Sequence, residues 1–383
     1  MITATIDLPH PDIELGIERS PLTYFVRTPD AGLDRNTGLV VFISGYGMEP
    51  GGSYEQNLLS YLANQHNCVA VSVRYFGADL YLEGNFIPMP DFFTRFAEHY
   101  GVTVSLARGT PLASVLRKLA ELLKENGITS FHPDCRLVVS RNAYNSMGFL
   151  PALDHLQVTH RLLLEYALDR SRVYVIGTSY GGYIASLMMK LAPGTFRMVV
   201  DNSGFSSAED DLPGLAGVFR LWIAGVAIDT LSVRCWSSDP VAANYFGKPR
   251  REIRSLLETR HVYPNTARAY AYHSATDAVA PLERKLQLRE IYAGRVDYDL
   301  RVVDAAALDG RVFKNLSHGM GASMRGVFDL SYEKYLAAGG PRADHCDFDL
   351  EREIVFPCSG EDYVLRYSPQ TGIRASLRPS ADG

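Results

Sequence analysis

The run Arg172-Val-Tyr-Val-Ile-Gly177-Thr178-Ser179-Tyr180-Gly181-Gly182 holds the densest chemical signal in this chain. A β-rich stretch leads into a serine with glycine two positions before and two after it. Helical spacing follows, with Tyr183, Ile184, Leu187, Met188 and Leu191 recurring on one side. This combination predicts a sharp strand-to-helix turn with Ser179 exposed at its apex, where only small flanking residues avoid clashes. The first N–H groups of the following helix would face negative charge developing at that apex. Ser179 is therefore the expected nucleophile for acyl transfer.

A serine hydroxyl is not ionised at neutral pH and needs a base. Among the ten histidines, His318 lies late in the chain, in Asn315-Leu-Ser-His-Gly-Met-Gly321, where glycines permit an exposed loop. His345 is also late but sits in a polar tail. His273 ends a β-rich run, where shaping the site or filling a core hydrogen bond is the expectation. A carboxylate must orient the imidazole and stabilise its charged form. Asp277, in His273-Ser-Ala-Thr-Asp277-Ala-Val-Ala-Pro281, and Asp201, directly after Met198-Val199-Val200, are the two candidates. An oxyanion would need two convergent N–H donors. Tyr180 is the expected first, and the turn Ser44-Gly45-Tyr46-Gly47 offers the second from Tyr46, with Gly45 next.

These residues need a scaffold, and the chain alternates between strand-like and helical patterns. Strands are predicted at 38–43, 68–75, 172–176, 197–200, 268–273 and 296–303. Helices are predicted at 54–64, 151–167, 180–191, 282–292 and near 324–336. Strands separated by helices imply a mostly parallel central sheet with helices on both faces. Short β-rich runs at 13–17 and 22–26 suggest an antiparallel edge ahead of it. Two stretches, at about 76–134 and 206–264, are too long for simple crossovers and predict lids or extra subdomains. The first holds an aromatic cluster (Phe76, Tyr81, Phe86, Phe92, Phe93, Phe96, Tyr100) and a helix running from Thr110-Pro111 to Gly127. The second holds Trp222 and Trp236. The main domain is expected over 1–340, with residues 341–383 as a C-terminal appendage of strand-like runs.

With 46% hydrophobic and 21% charged residues over 383 positions, the chain can fill a large core without a disulfide or metal staple. A net charge of −5 and the lack of a Lys/Arg run speak against a nucleic-acid partner. Five cysteines, odd in number and without a CxxC pair, read as reduced thiols of a cytoplasmic protein. The N-terminal residues lack the basic start and apolar run of a signal peptide, and nothing approaches a membrane-spanning length. No G-x-G-x-x-G, Walker or HExxH pattern occurs, so neither a nucleotide cofactor nor a metal is expected.

Taken together, the turn around Ser179, the late Asp277 and His318, and the early Ser-Gly-Tyr-Gly loop resemble the α/β-hydrolase superfamily over roughly residues 38–337. GTSYGGYIA, VVDNSGF and FISGYGM more closely resemble a bacterial hydrolase family of unknown function. Genes for flagellar or surface sugar modification often adjoin its members, a context that implies carbohydrate O-acyl chemistry by association only. The resemblance implies an α/β-hydrolase fold with lid or cap insertions and the chain order serine, acid, histidine. It selects His318 as base, because the base follows the last core strand. It selects Asp277 over Asp201, because the acid follows the penultimate one. Ser44 stands where many relatives carry histidine. The implied activity is a serine carboxylesterase or deacetylase on a small ester, with acylated carbohydrates among the candidates. A serine peptidase on short peptides and a non-catalytic binding protein of the same fold are the alternatives.

Overall fold

The computed structural model describes the chain except residues 9–10, 46–47, 49, 79–83, 89–91, 104–111, 132–134, 140–143, 208–217, 224–225, 233–235, 341–342 and 381–383. It divides into two compact units. One comprises Met1–Tyr75, Met147–Asp211 and Lys248–Gly383, and the other Phe76–Ser146 and Leu212–Gly247.

The first unit is built on eight strands: β1 (Ile2–Ile6), β2 (Leu22–Arg27), β3 (Gly38–Ile43), β4 (Cys68–Arg74), β5 (Val173–Thr178), β6 (Met198–Asn202), β7 (Arg268–Ser274) and β8 (Asp297–Val303). Their order across the sheet is β1-β2-β4-β3-β5-β6-β7-β8. Strands β3 to β8 run parallel, while β2 is antiparallel to both β1 and β4. The central strands are largely apolar and buried, as expected for a parallel sheet covered on both faces, with polar residues gathering at their C-terminal ends. Helices α1 (Ser53–His66) and α5 (Met324–Ala337) cover one face. There Leu58, Leu59 and Leu62 share a core with Val40, Phe42, Val327, Phe328 and Tyr335. The framework also holds α2 (Phe149–Glu165), α3 (Tyr180–Leu191), α4 (Leu282–Tyr292) and a short helix at Lys248–Arg254. This strand order, with its helical crossovers and the turn from β5 into α3, is the α/β-hydrolase fold.

The antiparallel edge differs from the sequence expectation. Residues 13–17 form no strand; Ile2–Ile6 takes that place beside β2. Asp12 is the cause. Its Oδ1 accepts the amides of Glu14 and Leu15, its carbonyl accepts that of Gly16, and Gly16 turns left-handed at φ +64°. Side-chain capping of this kind competes directly with strand pairing.

Residues beyond α5 form an antiparallel sheet of β9 (Arg352–Phe356), β10 (Glu361–Ser368) and β11 (Gly372–Pro379). It lies against the framework. Gln157 of α2 accepts the amide of Ile373, and the Asp347 carboxylate accepts from Gly194 and Thr195. Glu14 and Arg254 form an ion pair with neither side chain exposed, and Tyr363 of β10 donates to the same carboxylate. Glu14→Ala would strip the buried guanidinium of its counter-charge. It is expected to lower unfolding free energy by about 3–5 kcal/mol, read from urea denaturation of parent and variant.

The second unit carries its own sheet. Val218–Ile223 pairs antiparallel with Val226–Ser232, which pairs parallel with Ser130–Phe131 and Cys135–Val139; Gly84–Pro88 closes the other edge. It also holds helices Phe92–Tyr100 and Leu112–Glu125, the latter burying Leu119, Ala120 and Leu123. Trp236 is buried against Tyr144 and Phe246 and donates its indole N–H to the Asn145 carbonyl. Tyr81, Thr110 and Pro111 lie outside the described residues. Among the described residues, no helix is long and apolar enough to cross a membrane.

Candidate active site

Strand β5 ends at Thr178, and the chain turns at Ser179 with φ 56° and ψ −122° before entering α3. A side chain at positive φ is strained, and such strain persists only where the surroundings enforce it. Here they do. The Ser179 amide donates to the Asn202 carbonyl at the end of β6 (2.8 Å), and the Ser179 carbonyl accepts the Tyr183 amide (3.1 Å). The glycines are steric necessities. A Cβ on Gly177 would run into the backbone of Gly181 and Gly182, and one on Gly181 into the carbonyls of Ile43 and Ser44. Gly182 has no room either, because the Asp201 carboxylate and Gly204 press against it. Tyr183 anchors α3 from below, its hydroxyl donating to the Arg254 carbonyl at 2.8 Å.

His318 follows β8 on a loop bent by three left-handed residues, Gly319, Met320 and Gly321. Several short contacts hold that loop. Ser274 Oγ donates to the Leu316 carbonyl (2.6 Å), Asn202 Nδ2 to the Gly319 carbonyl (3.3 Å), and the Gly319 amide to Ser203 Oγ (3.2 Å). The imidazole Nε2 lies 2.7 Å from Ser179 Oγ. Its Nδ1 lies 2.9 and 3.1 Å from the two oxygens of Asp277. Asp277 sits just beyond β7 with its side chain fully buried, and its Oδ1 accepts the amides of Val279 and Ala280 at 2.9 Å each. Burial alone would raise this carboxyl. The His318 hydrogen bond, the imidazole charge and the two amides outweigh burial and hold it below the usual carboxylate range. Serine, imidazole and carboxylate thus form one continuous hydrogen-bonded line. The Ser179 end is half-buried and the His318 side chain is 21% exposed.

The other sequence candidates are engaged elsewhere. Asp201 is buried with Lys285 Nζ at 2.5 Å, and its Oδ1 accepts the Gly204 amide at 2.7 Å. His345 is exposed near Asp344, and its carbonyl accepts from Arg197 at the N-terminal end of β6, opposite the strand end that meets Ser179. His273 is fully buried and donates from Nε2 to the Ala280 carbonyl (2.7 Å). Burial, reinforced by the Lys285 charge, pushes its pKa down. The thiols of Cys68, Cys346 and Cys358 are buried and pushed up to about 12, which removes them as nucleophiles at neutral pH.

Of the expected oxyanion donors, Tyr180 is the first residue of α3, immediately after Ser179. Gly45 stands against the turn, where an added Cβ would lie 3.4 Å from Ser179 Cβ. Tyr46 lies outside the described residues. Sequence reasoning gave no role to Asn202, which binds both the Ser179 turn and the His318 loop, or to Ser203, which binds that loop and the Tyr272 carbonyl. Ser203 itself adopts φ 56°. The signal lay in Asp201-Asn-Ser-Gly204, a polar, turn-forming run at the end of a buried strand.

The family described as "Protein of unknown function (DUF2920)" matches residues 5–79 and 111–371. No curated protein matches the sequence. Among solved structures, an acylaminoacyl peptidase in complex with Z-Gly-Gly-Phe-chloromethyl ketone superposes with a TM-score of 0.48 at 15% identity. That match covers 90% of this chain, which spans only 42% of the peptidase. A thermophilic esterase from Thermogutta terrifontis gives 0.46 at 11% identity, covering 87% of this chain and 94% of the esterase. Est1E from Butyrivibrio proteoclasticus, with ferulic acid bound, gives 0.46 at 12% identity, covering 87% and 98%.

Proposed function

This chain belongs to the DUF2920 family of proteins of unknown function, and we propose that it is a serine hydrolase cleaving esters through an acyl-enzyme. One observation carries the proposal: Ser179 Oγ, on a strained turn, shares a 2.7 Å hydrogen bond with an imidazole that a buried carboxylate orients from behind. A hydroxyl held so has a proton acceptor in place and a fixed direction of attack, the two requirements of an activated nucleophile.

In the proposed cycle, Ser179 Oγ bonds to the ester carbonyl carbon as its proton passes to His318 Nε2. The carbonyl oxygen becomes an oxyanion, received by the Tyr180 N–H and by a second N–H from the turn after β3, assigned to Tyr46. Collapse expels the alcohol oxygen, which takes the proton from His318. Water then repeats the attack on the acyl-enzyme, His318 again accepting a proton and returning it to Ser179 Oγ as the acid leaves. Asp277 stays ionised throughout and holds Nδ1–H, so that Nε2 is the basic nitrogen.

The proposed substrates are small or carbohydrate-borne acyl esters, which make the chain a carboxylesterase or deacetylase that works without a cofactor or metal. Its proposed setting is the cytoplasm, without a nucleic-acid partner. Turnover on a panel of p-nitrophenyl acyl esters, acetylated sugars and aminoacyl amides tests this reading. Short acyl esters or acetylated sugars should be cleaved fastest. Faster cleavage of the aminoacyl amides would replace it with a peptidase, and turnover of none would favour a binding protein.

A further inference from the structure

Nothing in the proposed cycle uses the side chain of Asn202, yet it lies between the two residues that must meet. Asn202 ends β6, with Thr178 of β5 and Tyr272 of β7 as its neighbours in register. Its carbonyl accepts the Ser179 amide at 2.8 Å, so its backbone belongs to the nucleophile turn. Its side chain reaches further. Nδ2 donates to Thr178 Oγ1 at 3.0 Å and to the Gly319 carbonyl at 3.3 Å. A carbonyl can only accept, so the amide must present its NH₂ to Gly319. Oδ1 is then buried with no partner among the described residues.

Gly319 follows His318 directly, and it is held on both sides. Its amide donates to Ser203 Oγ at 3.2 Å, and its carbonyl also accepts the Ala322 amide at 3.0 Å. Ser203 is itself fixed, its amide donating to the Tyr272 carbonyl at 2.9 Å. The pair Asn202-Ser203 thus grips the residue after the base by its N–H and its C=O. The same strand end holds the amide of the nucleophile. The His318 loop needs outside support, because Met320, at φ 57° between two left-handed glycines, is strained.

We infer that Asn202 is a positioning residue that sets the reach of His318 Nε2 to Ser179 Oγ, with Ser203 completing the hold. That role presupposes the hydrolase reading above. The idle Oδ1 favours it over a purely structural role. A buried acceptor left unpaired costs stability, and for the fold alone an apolar side chain of the same shape serves at least as well. Leucine at this position keeps the volume, removes the unpaired oxygen and leaves the Ser179 amide its carbonyl partner. The Gly319 carbonyl keeps the Ala322 amide, and Thr178 is partly exposed.

Asn202→Leu and Ser203→Ala are compared with the parent in p-nitrophenyl acetate turnover, rate of fluorophosphonate labelling and thermal melting. The melting temperature of Asn202→Leu should stay within about 3 °C of the parent. Its chemistry should not. Released from the grip, His318 loses alignment, and a misplacement near 1 Å can cost about 10²-fold. In Asn202→Leu, kcat should fall roughly 10- to 100-fold with KM within about threefold. Labelling of Ser179 should slow by a similar factor, since both reactions need its proton taken up. Ser203→Ala removes the hold on the Gly319 amide alone and should lose roughly three- to tenfold in both rates. If Asn202→Leu fails to fold, Ser203→Ala carries the test. Any of four results would overturn the positioning role: parental kcat in a folded Asn202→Leu, a kcat loss with parental labelling, a kcat loss that disappears well below the variant's melting transition, or unchanged kcat in Ser203→Ala. Failure of the hydrolase reading looks different: the parent chain itself neither turns over the ester nor reacts with a fluorophosphonate.

Discussion

Ser179→Ala is expected to lower ester turnover by a factor on the order of 10⁴–10⁶ while leaving the fold unchanged. The size follows from the removal of the atom that forms the covalent bond. What remains is attack by water, aided only by the oxyanion donors and His318. The fold should survive because, apart from the Oγ bond to His318, Ser179 meets the surrounding structure through its amide and carbonyl, bonded to Asn202 and Tyr183. Alanine keeps both groups. It must still adopt φ 56°, but it replaces one strained non-glycine residue with another. Circular dichroism and a thermal scan matching the parent, together with a residual rate near the uncatalysed one, are the expected pair of results. A folded variant that retains parental turnover would move the nucleophile elsewhere.

The second large effect separates the two aspartates. Asp277→Asn preserves the side-chain shape but removes the charge and can offer an N–H to the imidazole in place of a carboxylate oxygen. His318 then favours the tautomer that carries its proton on Nε2, facing Ser179, and turnover is expected to fall by about 10⁴. Because the hydrogen bonds around Asp277 hold its carboxyl below the usual range, mild acidification does not imitate this change. Asp201→Asn should remain within about tenfold of the parent, because any loss acts through stability rather than chemistry. That stability loss is real, since Lys285 would keep a buried charge 2.5 Å from a neutral group. Comparison at a temperature well below both melting points isolates the catalytic difference. The reverse ranking would assign the acid to Asp201.

The centre of the sheet was legible in the sequence because β3, β4 and β5 are buried on both faces and read as nearly uninterrupted apolar runs. Gly38–Ile43 and the helix Tyr180–Leu191 are found at their predicted bounds. The edge was harder to read. Ile13 and Ile17 look as strand-like as Ile2 and Ile6, and only the capping geometry of Asp12 decides between them. The strands of the second unit were hidden differently. Val218–Ile223 and Val226–Ser232 are β-rich runs two residues apart, a hairpin signature, but they sit inside a long stretch between core strands, whose length signals an insertion and not the pairing within it.

The candidate site shows the same division. Ser179, His318 and Asp277 announce themselves through glycine context and position after strands. Their support does not. Asn202 and Ser203 act through a backbone carbonyl and a left-handed turn, and residue type alone reveals neither. Asp201 was a fair rival by position; its carboxylate is instead held by Lys285, which arrives from a helix 84 residues further along the chain.

The central claim is that Ser179 is an activated nucleophile, and covalent trapping tests it most directly. The parent protein is incubated with a fluorophosphonate, and the intact mass and the modified peptide are then read by mass spectrometry. The account predicts one adduct per chain, located on Ser179, lost in Ser179→Ala and strongly slowed in His318→Ala. A parent chain that stays unmodified, or an adduct on another residue that persists in Ser179→Ala, would contradict it.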